Sequence, residues 1–205
     1  MSGTEHFVFL DTEKRNALRT ASKFGGVEHL LFCPALCGGQ FSFENREVAF
    51  NAPNGRQVND FSEICAIRDK CQVMRLGLCD GQRPYVVPVN FGYEVRQGQI
   101  WLYFHCANQG RKLDMLKRNP SVCFEMDCEH DLVLDPMPCA CGYRFASVIG
   151  EGAAEILTAH QDKAHGLSVL MRHLTGRQVD FTPEQTAAVC VCRVAADTVT
   201  AKRRG

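Results

Sequence analysis

The sequence has no surplus of charge of either sign: 23 Lys and Arg balance 23 Asp and Glu over 205 residues. No overall field therefore draws the chain to nucleic acid or an anionic membrane, and any polyanion it binds is small and locally held. It has no apolar run near the roughly 20 residues that a bilayer-spanning helix needs. The stretch 1–15 is too charged for a signal-peptide core, so a cytoplasmic protein without a membrane partner is expected. Internal repeats and low-complexity tracts are lacking, which argues against a solenoid or a linker-like chain. No Gly-x-Gly-x-x-Gly opens a strand–helix–strand unit, which argues against a resident dinucleotide.

Cysteine is plentiful, with twelve residues. The chain is too long for a small disulfide scaffold, and free thiols in a reducing cytosol are expected. Cys79, Cys106, Cys123, Cys190 and Cys192 lie in apolar, strand-like runs, where a thiol packs as a small hydrophobe. No metal is expected. The alternative zinc set, Cys128, His130, Cys139 and Cys141, has one-residue spacings that suit the ion less well than Cys-x2-Cys.

Residues 1–55 show no sustained periodicity and carry turn chemistry at Gly25-Gly26, Gly38-Gly39 and 51–55. They read as an N-terminal extension to a single folded domain, 56–205. Asp60 and Glu63 have capping-box spacing, and Phe61, Ile64, Ile67 and Cys71 recur at helical intervals, predicting a helix to about Lys70. Residues 72–79 and 84–93 read as strands around Asp80-Gly81, with Tyr85, Val87, Val89, Phe91 and Tyr93 on one face. Residues 100–106 form a third strand, with Ile100, Leu102 and Phe104 facing opposite to Trp101, Tyr103 and His105.

Helical spacing returns over 111–118 and stops at Asn119-Pro120. A strand over 122–126, an irregular loop over 127–142 and a long strand over 144–157 follow. Thr158 with Gln161 is expected to open the main helix, with Ala164, Leu167, Met171 and Leu174 on its core face and Gly176 closing it. Thr182-Pro183-Glu184-Gln185 starts another helix. Residues 189–194 and 198–202 complete the chain as a last strand or strand pair. About six strands joined by hairpins and short helices predict a mainly β (α+β) fold, a six-stranded antiparallel barrel with short flanking helices.

The informative stretch is Arg75-Leu76-Gly77-Leu78, then 85–93, then 102–112, ending in Asn108-Gln109-Gly110-Arg111-Lys112. It ends a strand in a glycine turn and presents two adjacent cations with open backbone N–H groups at a helix start, which suits a phosphate. Pro88 removes a ladder donor and marks an edge or bulge where a flat ligand can approach the backbone.

At these residues the chain resembles the pyridoxamine 5'-phosphate oxidase-like split barrels, within the branch that includes nitroimidazole-resistance flavoproteins. The likeness extends over about 55–205, including 119–125, 147–152, 170–176 and 200–203. The resemblance implies FMN at the interface of a homodimer, with Arg111 and Lys112 on the phosphate. It also implies Val87, Pro88, Val89 and Asn90 beside the ring system, Arg75 nearby, and Ser147 as a further contact. His105 matches the histidine this branch places next to the cofactor, where it is the expected catalytic residue. The implied activity is an FMN-dependent reductase passing electrons from NAD(P)H to a small aromatic or nitro-substituted acceptor. The alternatives are a non-enzymatic flavin- or haem-binding module and a zinc-stabilised interaction protein. The vitamin oxidase itself ends in an arginine-rich substrate segment, whereas this chain ends Lys202-Arg203-Arg204-Gly205, so oxidation of pyridoxamine phosphate is not expected.

Overall fold

The structure, a computed structural model, describes residues 56–81 and 83–205; the extension expected over 1–55 lies outside them. In chain order the elements are β1 (Gln57–Val58), α1 (Phe61–Lys70), β2 (Val73–Cys79), β3 (Pro84–Asn90), β4 (Gly92–Arg96), β5 (Gln99–Cys106), α2 (Arg111–Arg118), β6 (Ser121–Val133), β7 (Gly142–Leu157), α3 (His160–Thr175), α4 (Pro183–Ala187) and β8 (Cys190–Arg204). A single 3-10 turn, Pro138–Ala140, lies between β6 and β7. Among the described residues no helix is long and apolar enough to cross a membrane.

Among the described residues all strand pairings are antiparallel and form one sheet of eight strands in the order β3-β2-β6-β7-β8-β5-β4, with β1 on β8. The two ends of this path, β3 and β4, are joined by one residue, Phe91, which is 0% exposed. A sheet whose first and last strands are covalent neighbours must curl on itself, and that curl produces the barrel. The curl encloses Met74, Leu76, Leu102, Phe104, Phe124, Met126, Val148 and Val194, each almost wholly buried. Burying each such side chain contributes roughly 1.5–3 kcal/mol.

The expected strand over 84–93 is thus two strands, because at Phe91 the chain passes from one end of the sheet to the other. Gly92 permits the crossing: a Cβ there would lie 2.5 Å from the Leu170 Cα of α3. The expected inward face survives the break, with Tyr85 and Val87 half-buried and Val89 and Phe91 buried. The expected loop over 127–142 is mostly strand, since β6 runs to Val133 and pairs with β7 beyond an irregularity between Cys128 and Asp131. That ribbon is largely exposed, so it has no apolar alternation to read. The last strand is continuous, with Asp197 set out of register where Ala196 and Thr198 face Gly152 and Glu151.

Helix α1 starts as expected: Asp60 accepts hydrogen bonds from Ser62 N at 2.7 Å and Glu63 N at 3.2 Å. Helix α3 differs. Its N-cap is Ala159 without a side-chain bond, and its buried residues are Gly166, Leu167, Val169 and Leu170. It lies on the outer surface of β4, β5 and β8 and covers a second apolar cluster, Tyr103, Leu157, Leu167, Val169 and Val191. Gly176 closes it in the left-handed region, as expected. Helix α4 starts where expected, and a capping box between Thr182 and Gln185 closes its N-terminus.

Candidate functional site

The barrel opens along one seam. Among the described residues β3 is hydrogen-bonded only to β2, and its other edge has no partner strand there. Pro88 fits there, because a proline in a paired strand must turn its missing N–H toward the unpaired side. β5 pairs with β4 through Gln99–Tyr103 but leaves that partner after Tyr103, which faces Gly92; residues 104–106 pair only with β8. The seam therefore lies between the free edge of β3 and the C-terminal half of β5, which approach each other here.

Helix α2 begins at this seam. Its N-cap, Gly110, has φ 137 and ψ 163, a conformation that favours glycine, and offers no side-chain cap to the first-turn N–H groups. A Cβ at Gly110 would meet nothing within 4 Å, so the ground in front of the helix is open. The next two residues fold back over the two lips: the Arg111 guanidinium lies 4.5 Å from the centre of the Tyr85 ring on β3, and the Lys112 ammonium 5.4 Å from the Phe104 ring on β5. Neither has a carboxylate partner among the described residues. Leu113, Met115 and Leu116 anchor the helix beneath them.

The expected residues fall into two groups. Val87, Pro88, Val89, Arg111, Lys112 and the exposed His105 surround the seam, with Asn90 at its upper end, where its amide donates to Gln72 O at 3.0 Å. Arg75 and Ser147 lie on the outer face of β2, β6 and β7. Arg75 stands opposite Pro88 on one side and Glu125 on the other, and Ser147 stands opposite Asp127. The Arg75 guanidinium donates to Glu125 at 3.1 Å and Asp127 at 2.5 Å. Burial pushes Asp127 up, but the hydrogen bonds from Arg75 and His130 outweigh it and hold the carboxyl below its ordinary range. Burial and the neighbouring Asp127 charge raise Glu125. Arg75 is thus already committed to two carboxylates, whereas Arg111 and Lys112 are not. His105 shares the outer face of β5 with Trp101 and Tyr103, and no hydrogen-bond partner orients its ring among the described residues.

The alternative zinc residues are not brought together. The Cys128 thiol donates to Ile67 O beneath α1 at 3.7 Å, His130 pairs with Asp127 at 2.8 Å, Cys141 contacts Asp135, and Cys139 is exposed. Of the five cysteines expected to pack as hydrophobes, Cys190 and Cys192 are buried and Cys106 half-buried, but Cys79 and Cys123 are exposed, because they alternate to the outer side of β2 and β6. A hydrogen bond from Cys192, helped by the Lys112 charge, outweighs burial and draws the Cys106 thiol below its ordinary range. Sequence reasoning missed that Tyr85 and Phe104 hold the two cations. Their positions follow only once β3 and β5 are known to flank one seam.

The family model described as pyridoxamine 5'-phosphate oxidase matches residues 60–203. Among solved structures, a candidate 5-nitroimidazole antibiotic resistance protein from Bacteroides thetaiotaomicron is 32% identical, with a TM-score of 0.63 over 72% of this chain and 86% of that one. A FAD- and haem-binding protein from Mycobacterium smegmatis has a TM-score of 0.62 at 19% identity, covering 72% of this chain and 73% of its own. A flavocytochrome from Azotobacter vinelandii has a TM-score of 0.60 at 22% identity, covering 73% and 69%. At those identities the last two show a shared fold. No match emerges among curated proteins. With the family model spanning most of the chain and the Bacteroides protein aligned over the same barrel, this chain belongs to the pyridoxamine 5'-phosphate oxidase-like family, beside its nitroimidazole-resistance members.

Proposed function

We propose that the chain is an FMN-dependent oxidoreductase that uses NAD(P)H to reduce a small aromatic or nitro-substituted acceptor. One observation carries the reading. Two adjacent cations without acidic partners among the described residues stand at a helix N-terminus that no side chain caps, one over each lip of an open seam in the barrel.

That donor set fits a phosphate monoester. The guanidinium offers a planar fork, the ammonium a compact charge, and the first-turn N–H groups add the positive end of the helix dipole. The free edge of β3 suits a flat ring system, since Pro88 leaves no N–H projecting into the seam. When bound, FMN supplies the hydride and electron transfer. The chain's own residues have narrower tasks. Arg111 and Lys112 fix the phosphate end, Val87 to Asn90 line the ring end, and His105 holds a proton at its imidazole beside the acceptor.

Homodimerisation, with the flavin at the subunit contact, belongs to the same proposal. The outer face that carries Arg75 and Pro88 also exposes Val73 at 39% and Val86 at 62%, apolar surface that a second copy of the chain would cover. The visible spectrum of the purified full chain, before and after NADH or NADPH, tests the reading. A flavin spectrum that bleaches with either donor supports a reductase, a flavin that neither donor bleaches supports a binding module, and a colourless protein that binds no added FMN overturns both.

A further inference from the structure

Next to the Lys112 end of the seam, the described residues bring one set of soft ligand atoms together. Cys106 closes β5, while Cys190 and Cys192 open β8. Cys106 stands directly opposite Cys190 in the ladder, and Cys192 stands opposite Phe104, one inward position further along. Strand alternation sends all three side chains to the inner surface, and their sulfurs lie within 4.8 Å of one another. Cys192 is 0% exposed and Cys190 7%, while Cys106 is half-buried at the rim.

A metal–sulfur bond of about 2.3 Å puts the three sulfurs of a trigonal site roughly 4 Å apart. The thiols are already near that spacing, so side-chain rotation suffices and the backbone need not move. No histidine or carboxylate joins them among the described residues. Among the described residues a structural zinc ion would find only three of its four protein ligands. Three thiolates without a fourth donor, two of them shielded from water, suit a soft ion that accepts three-coordination.

We propose that Cys106, Cys190 and Cys192 form a three-thiolate site for Cu(I), entered past Cys106. On binding, three S–H bonds break and three Cu–S bonds form, the protons pass to solvent, and the copper keeps its oxidation state. Lys112, whose ammonium lies over the neighbouring Phe104 ring, supplies positive charge toward the resulting anionic complex. The proposal does not require bound flavin, and its test uses none.

The reduced full-length protein is titrated anaerobically with Cu(I) alone, in competition with a chromophoric Cu(I) chelator. The expected result is one tightly held ion per chain, with Cys106→Ala and Cys190→Ala each weakening it by about 100-fold or more. Cys106→Ala is the decisive variant, because its position at the rim leaves the buried core intact, and circular dichroism checks that it folds. Cys123→Ala, on the outer face of β6, should leave the affinity unchanged. X-ray absorption should count three sulfur neighbours. Wild-type affinity in both cluster variants, a loss that follows Cys139→Ala and Cys141→Ala instead, or a count of two sulfurs would overturn the proposal.

Discussion

Lys112→Ala tests the phosphate anchor at the point where the structure allows a magnitude. A charge-assisted hydrogen bond to phosphate contributes about 1.5–3 kcal/mol. Lys112 has no carboxylate to abandon among the described residues, and what it gives up on reaching a phosphate is its contact with the Phe104 ring, worth about 0.5–1 kcal/mol where water still reaches the cation. The difference, about 0.5–2.5 kcal/mol, corresponds to about a 2- to 70-fold rise in the dissociation constant for FMN. The same balance applies to Arg111→Ala, which gives up the Tyr85 ring. Quenching of FMN fluorescence, titrated with the full chain at fixed ionic strength, reads the change directly. Lys117→Ala, in the last turn of the same helix, controls for net charge and should bind as the wild type does. Dissociation constants within about twofold of wild type for both Lys112→Ala and Arg111→Ala would mean that the phosphate lies elsewhere.

Four further outcomes are expected. Arg75→Ala should cost less FMN affinity than Lys112→Ala, because its guanidinium is already held by Glu125 and Asp127; a larger loss in the same titration would make Arg75 the principal anchor. His105→Ala should lower turnover with a nitroaromatic acceptor more than it weakens FMN binding, and equal losses in both would reduce His105 to a binding group. Gly92→Ala forces a Cβ against the backbone of Leu170 and Val169 and should destabilise the fold by about 1–3 kcal/mol or more in urea unfolding; an unchanged midpoint would show that α3 yields there. Burial pushes Glu94 up, but hydrogen bonds from Tyr103 and His165, with the Arg96 charge, hold it below its ordinary range. A depressed carboxylate stabilises the fold above its unfolded value of about 4.3 and loses that contribution as pH falls through the folded value. The stability gap between wild type and Glu94→Gln should therefore narrow below about pH 4, and a gap that stays constant between neutral and acid pH would contradict this.

How much could be read beforehand depended on whether a residue's neighbours were local. The Asp60 cap, the Asp80-Gly81 turn, the Gly176 stop and the Thr182-Pro183 helix start involve residues within a few positions of each other, and each stands where the sequence placed it. The inward face of Tyr85, Val87, Val89 and Phe91 was legible from period two alone. The break at Phe91 was not, because nothing local distinguishes a strand that ends a sheet from one that continues it. The ribbon extending β6 past Met126 escaped notice because both its faces meet solvent. Tyr103 was read as one of an aromatic face, but α3 covers it and its hydroxyl donates a hydrogen bond to Glu94 at 2.6 Å, a contact set by tertiary packing. The cysteine cluster required the β5–β8 register, since Cys106 is more than eighty positions from its partners. The conspicuous cysteines of the 128–141 segment proved scattered.

A crystal structure of the full chain loaded with FMN tests the central claim most directly. The phosphate should lie in front of Gly110, within about 3.2 Å of donor atoms on both Arg111 and Lys112, with the ring system along the free edge of β3. Both cations still over Tyr85 and Phe104, with the phosphate bound at another element, would contradict it.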